Sequence, residues 1–354
     1  MKRADIREIA GLANVSIGTV DRALHGRKGI SEATRERVLR IAKMVGYTPN
    51  LAARTPSVGR PNIPFGICIP RETHLFYDQL RDGILDELRR FEPLGVEWLY
   101  RPVERLGVGE VERLKEMLET GVRALILTPG DPRRIAPLID EAERKGIRVV
   151  CVASDAPDSS RSTAISVDHE VGGSLAAELI GRFVEPGSRA AVITGMLHTE
   201  AHRKCTEGFC NAFPLYCKGG EVVEVVEGHE NEDETFQMCI DLLGKYTDLA
   251  GIYVSIAICL PVCYALQARG LAGKVRVVAT DLFREMIPFF EKETIHASIY
   301  QRPYVVGQTA VRLLLEHFLH NRPMPHTHYL SPSVVMRSNL HLFRETRRLE
   351  AQRT

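Results

Sequence analysis

Nowhere do the 354 residues reach the ~18 uninterrupted apolar positions that a membrane-spanning helix needs, so a helical membrane protein is excluded. No Walker A, HExxH or GxSxG sequence occurs, which removes the usual signatures of P-loop NTPases, zinc proteases and α/β-hydrolases. The eight cysteines (68, 151, 205, 210, 217, 239, 259 and 263) never stand as CxxC pairs, and several fall in apolar strand or helix patterns. Reduced thiols in a cytosolic protein are the expectation. His198, His202 and Cys205 fall on one helical face, but a bland role for them outweighs a zinc site, and neither metal nor cofactor is called for. The chain opens directly on a charged helix, so no signal peptide is expected and the cytoplasm is the expected location.

An excess of charge of one sign is also missing, the formal total being +1. That neutrality hides an asymmetry. Residues 1–60 hold twelve Lys/Arg against five Asp/Glu, so a basic head is joined to an acidic body. Such a head can exchange its charges for phosphate counterions while the body is repelled from a duplex.

The head carries a specific pattern. Ile6, Ile9, Ala10 and Ala13 recur at helical spacing. Ser16 then offers a hydroxyl cap for a second helix on which Val20, Ala23 and Leu24 face inward. The turn Ala13-Asn14-Val15 is too short for anything but a sharp crossing, which is helix-turn-helix spacing. Ser31 caps a third helix from Glu32 to Val45, with Val38, Leu39, Ala42 and Val45 expected inward and Gly46 as its stop. A turn and a short helical stretch follow, over Tyr47 to Arg54.

The run from Ile6 to Arg54 resembles the headpiece of the lactose-repressor (LacI/GalR-type) family of transcription factors, where these helices and a small hinge helix follow in this order. The resemblance implies that the second helix enters the major groove of double-stranded DNA. Ile17 and Gly18 stand where the family often reads base edges; Ile17 offers only apolar contact and Gly18 none. Arg22 is then the best candidate for a bidentate guanine contact, and Ser16 and Thr19 for phosphate contacts that fix register. Asp21 either orients Arg22 or accepts from a cytosine amino group, and His25 touches bases or backbone. Hinge contacts fall to Asn50, Ala53, Arg54 and Pro56. Pro56 replaces the usual leucine wedge; proline can intercalate, yet it also ends a helix.

Composition changes at the Pro/Gly-rich stretch Pro56–Asn62, where a linker belongs. Beyond it, short apolar runs at 65–69, 96–100, 124–127, 149–152, 190–193, 222–226, 251–254, 275–279 and 297–299 read as strands. Amphipathic stretches at 78–91, 110–119, 135–145, 173–184 and 305–320 lie between them. This alternation predicts parallel sheets covered by helices, and nine or more strands fit two α/β lobes with a cleft better than one sheet.

From about Ile63 to Arg337 the body resembles the type I periplasmic-binding-protein-like sugar-binding fold that the same family uses as its effector domain. The fold class expected is thus an all-α helix-turn-helix headpiece plus a two-lobed α/β domain. Its polar landmarks sit at strand ends, where open α/β sheets bind ligands: His74, Phe76, Tyr77, Asp131, Asp155, Arg203, Ser255, Asp281 and Gln301. Carboxylates such as Asp131 and Asp281 can each accept from two adjacent sugar hydroxyls, Arg203 donates in a fork, and Phe76 and Tyr77 offer flat faces to a pyranose. Each also has an ordinary alternative as helix cap or lobe core. Ala153 and the Ser255-Ile256 pair stand where relatives often carry carboxylate or amide side chains, so the effector is not copied from a familiar regulator.

The resulting expectation is a DNA-binding regulator, a repressor by sign, controlled by a sugar or sugar derivative. It binds a pseudo-palindromic operator as a homodimer, because one headpiece offers few base contacts. The expected boundaries are 1–48 for the headpiece and 49–62 for hinge helix and linker. The effector domain runs over 63–340, with an N-lobe at about 63–166 and 302–325, a C-lobe at about 167–301 and 326–340, and a tail at 341–354. An enzyme on a two-lobed fold, and a regulator sensing a protein partner or non-sugar ligand, are the alternatives. Scattered histidines argue against the former.

Overall fold

The computed structural model describes residues 6–24, 29–44, 62–71 and 74–344. His25, Asn50, Ala53, Arg54, Pro56 and the expected hinge helix lie outside the described residues, as does the side chain of His74. Two compact units are present, one at each side of the linker, and each is described by itself.

In the first unit, α1 (Ile6–Ala13), α2 (Ile17–Leu24) and α3 (Glu32–Met44) enclose a small core of Ile9, Ala10, Ala13, Val20, Ala23, Val38 and Ala42. The corner between α1 and α2 is made by Asn14, whose φ of 48° reverses the chain, while the Val15 N–H bonds back to the Ala10 carbonyl at 3.0 Å. Ser31 caps α3 by accepting from the Thr34 N–H at 3.2 Å. One expectation fails here: Leu39 is 43% exposed. It follows Val38 by about 100° of helix, and Ile41 packs against the core instead.

The second unit contains two six-stranded sheets. The first runs β2-β1-β3-β4-β5-β11, with β1 Ile63–Cys68, β2 Val96–Tyr100, β3 Ala124–Leu127, β4 Arg148–Val152, β5 Thr163–Val167 and β11 Thr327–Leu330. The second runs β7-β6-β8-β9-β10-β12, with β6 Arg189–Thr194, β7 Glu221–Glu227, β8 Leu249–Val254, β9 Arg276–Thr280, β10 Ala297–Tyr300 and β12 Ser333–Val335. Every pairing is parallel except β10 with β12. Strands such as β3 and β5 are buried along their whole length, as expected when helices cover both faces.

Both sheets have the same order, each closed at one edge by a late strand from the C-terminal segment. The chain crosses by α7 (His169–Phe183) into the second lobe and returns by α12 (Pro303–His320) to the first. It crosses once more between Leu330 and Ser333. The expectation that 326–340 belongs to the second lobe is therefore corrected: Thr327–Leu330 pairs with β5 of the first. These short late strands, with β5, lack the apolar runs that betray the others.

Each lobe packs its crossover helix backbone to backbone on the helix that follows its first strand. In the second, a Cβ on Gly173 of α7 would lie 2.0 Å from the Cys205 carbonyl oxygen of α8 (Glu200–Tyr216). One on Gly208 of α8 would lie 2.1 Å from the Glu170 carbonyl oxygen. In the first lobe, α4 (His74–Phe91) and α12 repeat the arrangement through Gly83 and Gly307, with equivalent distances of 2.0 Å to Tyr304 and 2.4 Å to Leu80. Only glycine permits such approaches.

Candidate functional site

On α2, the Ser16 hydroxyl oxygen accepts from the Thr19 N–H at 3.1 Å and lies 2.9 Å from the Thr19 hydroxyl. That cap fixes the helix start and leaves Ser16, Ile17, Gly18 and Arg22 exposed, with Thr19 and Asp21 half-buried beside them. Ile17 is 48% exposed, an apolar side chain held away from the core.

The second unit holds a cleft at the C-terminal ends of its strands, with about 480 Å³ of space including its mouth. From the first lobe it is lined by Phe76 and Tyr77 of α4, Leu106, Thr128 after β3, and Ala153 and Ser154 after β4. The second lobe contributes His169, Thr199, Ala201, His202, Cys205, Glu230, Ser255, Ile256, Ala257 and Asp281, and Gln301 stands at the return crossover. Several hydrogen bonds cross between lobes around it. The Thr199 hydroxyl donates to the Gly130 carbonyl at 2.6 Å, and the Tyr300 hydroxyl donates to Gln79 Oε1 at 3.1 Å.

Ala153 and Asp281 occupy equivalent places, each the first residue after the fourth strand of its lobe, and both have φ of 64°. The Ala153 carbonyl accepts from His169 Nε2 at 2.9 Å. His169 Nδ1 is then left as the acceptor facing Cys205 Sγ, 3.7 Å away. Burial holds that imidazole down at about 4 and pushes the Cys205 thiol up to about 12, so both are neutral. His202 Nδ1 accepts the Met196 N–H at 3.0 Å, which turns its Nε2 to Glu230 Oε1 at 3.4 Å.

Asp281 is fully buried, and that burial raises its carboxyl to about 7 against the opposing pull of two N–H groups from Gln301. Tyr77 is held well above the usual phenol range, by burial first and then by Glu230, Glu110 and Asp281. Across from Asp281, Thr128 and Ser154 are 2% and 3% exposed, and their hydroxyl oxygens have no hydrogen-bond partner.

Five of the expected landmarks, Phe76, Tyr77, Ser255, Asp281 and Gln301, are brought together here. Three are not, and their assignments are corrected. Asp131 caps α6 (Pro132–Arg144), accepting from the Arg134 N–H at 3.3 Å. Asp155 pairs with the buried guanidinium of Arg161, one contact being 2.5 Å from Nη2 to Oδ2. Arg203 points away from the cleft into ion pairs with Glu200 and Glu207, at 2.6 and 2.7 Å. Cys205, two residues and about 200° further round the helix, takes the inward place.

Thr128, Ser154, His169, His202, Cys205 and Glu230 were not expected in a cleft. The shared helical face of His202 and Cys205 was a usable signal, and so was the place of Thr128 and Ser154 at strand ends; nothing local marked His169 or Glu230. Among the described residues, no group of three or more His, Cys, Asp or Glu is arranged to hold a metal ion.

Two family models match this chain: "periplasmic binding protein domain" over residues 65–321, and "bacterial regulatory proteins, lacI family" over residues 5–50. Catabolite control protein A of Priestia megaterium is 24% identical over 317 residues, 88% of this chain and 92% of that protein. The ribose operon repressor of Haemophilus influenzae is 24% identical over 350 residues, 96% of this chain and 99% of that protein. Among solved structures, a solute-binding protein of Burkholderia graminis in complex with D-arabinose superposes with a TM-score of 0.73 at 22% identity, over 79% of this chain and 97% of that one. One from Bacillus halodurans with bound myo-inositol gives 0.73 at 16%, over 81% and 99%. At such identities the structural likeness establishes the fold.

Proposed function

The chain belongs to the periplasmic binding protein domain family, with a lacI-family regulatory segment at its head, and from that membership we propose that it is a DNA-binding transcriptional repressor governed by a small polyhydroxylated effector. The effector, a sugar or sugar derivative, sits in the cleft. One observation carries the proposal: the same chain joins a capped helix with an exposed face to a cleft whose buried hydroxyls on Thr128 and Ser154 lack partners of their own. Buried polar groups without partners cost free energy, and a ligand's hydroxyls supply what is missing. Residues 1–48 serve as headpiece and 49–62 as hinge, in a cytoplasmic homodimer that reads two half-sites. A ligand touching both lobes favours the geometry in which Thr199 meets Gly130, and only such differential contact shifts an equilibrium.

The test is selection of bound duplexes from a random pool, followed by titration of the complex with sugars and polyols. Enrichment of a pseudo-palindrome whose affinity changes on adding one of them is expected. A pool that stays random overturns the regulator assignment, and an enriched operator indifferent to every small molecule overturns the effector assignment.

A further inference from the structure

The lining of the cleft is one-sided in charge, the Lys204 that acts on His169 standing outside it and paired with Glu200 at 3.5 Å. The described lining includes Asp281 and Glu230 but no Arg or Lys. The charged groups felt by the Tyr77 phenol at its back are Glu230, Glu110 and Asp281, all acidic. Neither imidazole in the lining supplies a cation: His202 Nδ1 accepts the Met196 N–H and so carries no proton, and burial holds the His169 imidazole down at about 4. Asp281 itself is wholly buried, and among the described residues its carboxylate is held by Gln301, through the backbone N–H at 3.0 Å and Nε2 at 2.8 Å. A buried carboxylate with amide donors but no cation is incompletely compensated. An anionic ligand would worsen that imbalance, a neutral one would leave it, and a cation would relieve it through charge-assisted hydrogen bonds. On the opposite wall, Thr128 and Ser154 present their unpartnered hydroxyls.

We infer that the cleft takes a hydroxylated molecule bearing a protonated amine, its ammonium set against Asp281 and its hydroxyls reaching Thr128 and Ser154. This rests on the effector proposal above and narrows it: the sugar acid that an inward Arg203 would have suited is excluded, because that guanidinium lies on the other face of its helix.

Calorimetry of the full chain against matched sets decides the matter: glucosamine, glucose and gluconate; galactosamine, galactose and galactonate; an aminoinositol and myo-inositol. In at least one set the amine is expected to bind ten-fold or more tightly than its neutral counterpart, with no detectable binding by the acid. Asp281→Asn should bring the amine down to the neutral compound's affinity. Ser154→Ala should weaken amine and neutral compound by the same factor. A neutral compound or acid that binds as tightly as its amine overturns the charge assignment while leaving the cleft as an effector site. An amine preference that persists in Asp281→Asn overturns the placement of the ammonium. Silence from every set overturns the effector proposal and this inference together. If Asp281→Asn does not fold, the wild-type order of amine, neutral compound and acid decides alone.

Discussion

Gln301 closes on the carboxylate of Asp281 from two directions, its backbone N–H meeting Oδ1 at 3.0 Å and its side-chain amide meeting Oδ2 at 2.8 Å. The pair joins the end of β9 to the start of the return crossover, so cleft and hinge between lobes share one hydrogen-bonded unit. Neither donor is charged. They do not offset the cost of removing the carboxylate from water, and its pKa therefore stands at about 7 instead of 3.8.

A pH dependence of stability follows. Between about pH 4 and pH 7 the unfolded chain has lost the Asp281 proton that the folded chain keeps, so this group lowers stability as pH rises through that window. Below the window it contributes nothing; above it the penalty is complete. Asp281→Asn removes the ionisation, and the Gln301 amide can turn its oxygen to the new N–H. The variant is expected to be more stable than wild type at pH 8, by about 1–4 kcal/mol at ~1.4 kcal/mol per unit, with the difference vanishing near pH 4. Urea melts across that range measure it, and a variant less stable than wild type at pH 8 would sink the idea.

Asp155 illustrates the limits of strand-end reasoning. Its place after β4 suits a ligand contact, yet the partner that claims it, Arg161, lies in the following loop and is invisible to local pattern. That guanidinium, with a side chain 1% exposed, also donates to the His326 carbonyl at 2.9 Å and so ties the segment entering β11 to the first sheet. Arg161→Met is expected to cost about 3 kcal/mol in urea melts, because it strands a half-buried carboxylate and a carbonyl. The double variant Asp155→Leu, Arg161→Met should recover at least half. If the single variant melts like wild type, the pair is not structural.

What the sequence disclosed was governed by period. The helices of the headpiece and nine of the strands announced themselves through apolar spacing, and the lobe architecture followed from their alternation. Strands β5, β11 and β12 did not, because they are short and mix polar with apolar residues, and only the sheet partners they find across the lobe give them their places. In the cleft, residues immediately after long apolar strands, such as Asp281, were legible. Arg203 and Cys205 were confused because helical phase, not chemistry, decides which of them faces inward. Glu230 enters from a loop where φ of 53° turns the chain, and no local signal announces that.

The glycine crossings give a further prediction. Gly208→Ala would drive a methyl group into the Glu170 carbonyl oxygen, and Gly307→Ala into that of Leu80. Each requires two helix backbones to separate, at about 1–3 kcal/mol or more for overpacking. The Gly208 variant also shifts α8, which carries His202 and Cys205 into the cleft, so it should weaken effector binding even where the protein remains folded. Thermal melts together with calorimetry on the best ligand provide the measurement. Wild-type stability in both variants would mean that the helices are not locked at these points.

Arg22 offers the sharpest test of the DNA-facing helix. It lies in the last turn of α2 and is exposed, on a surface where Ile17 supplies only apolar contact and Gly18 presents no side chain. With so few groups able to read a base edge, sequence discrimination should depend heavily on this one guanidinium. Arg22→Ala is expected to weaken specific binding by about 1–3 kcal/mol and relax discrimination at one base pair per half-site. Ile17→Ala should lose less, and only where a thymine methyl faces it. The two effects differ in their salt response. Loss of a base contact leaves the slope of log affinity against log salt unchanged, whereas loss of a phosphate contact flattens it by about one. Titrations of both variants against operator and scrambled duplexes at several salt concentrations separate the cases. An Arg22→Ala protein that keeps its full preference for operator, with a flattened slope, would make Arg22 a backbone clamp and leave base reading to residues beyond α2.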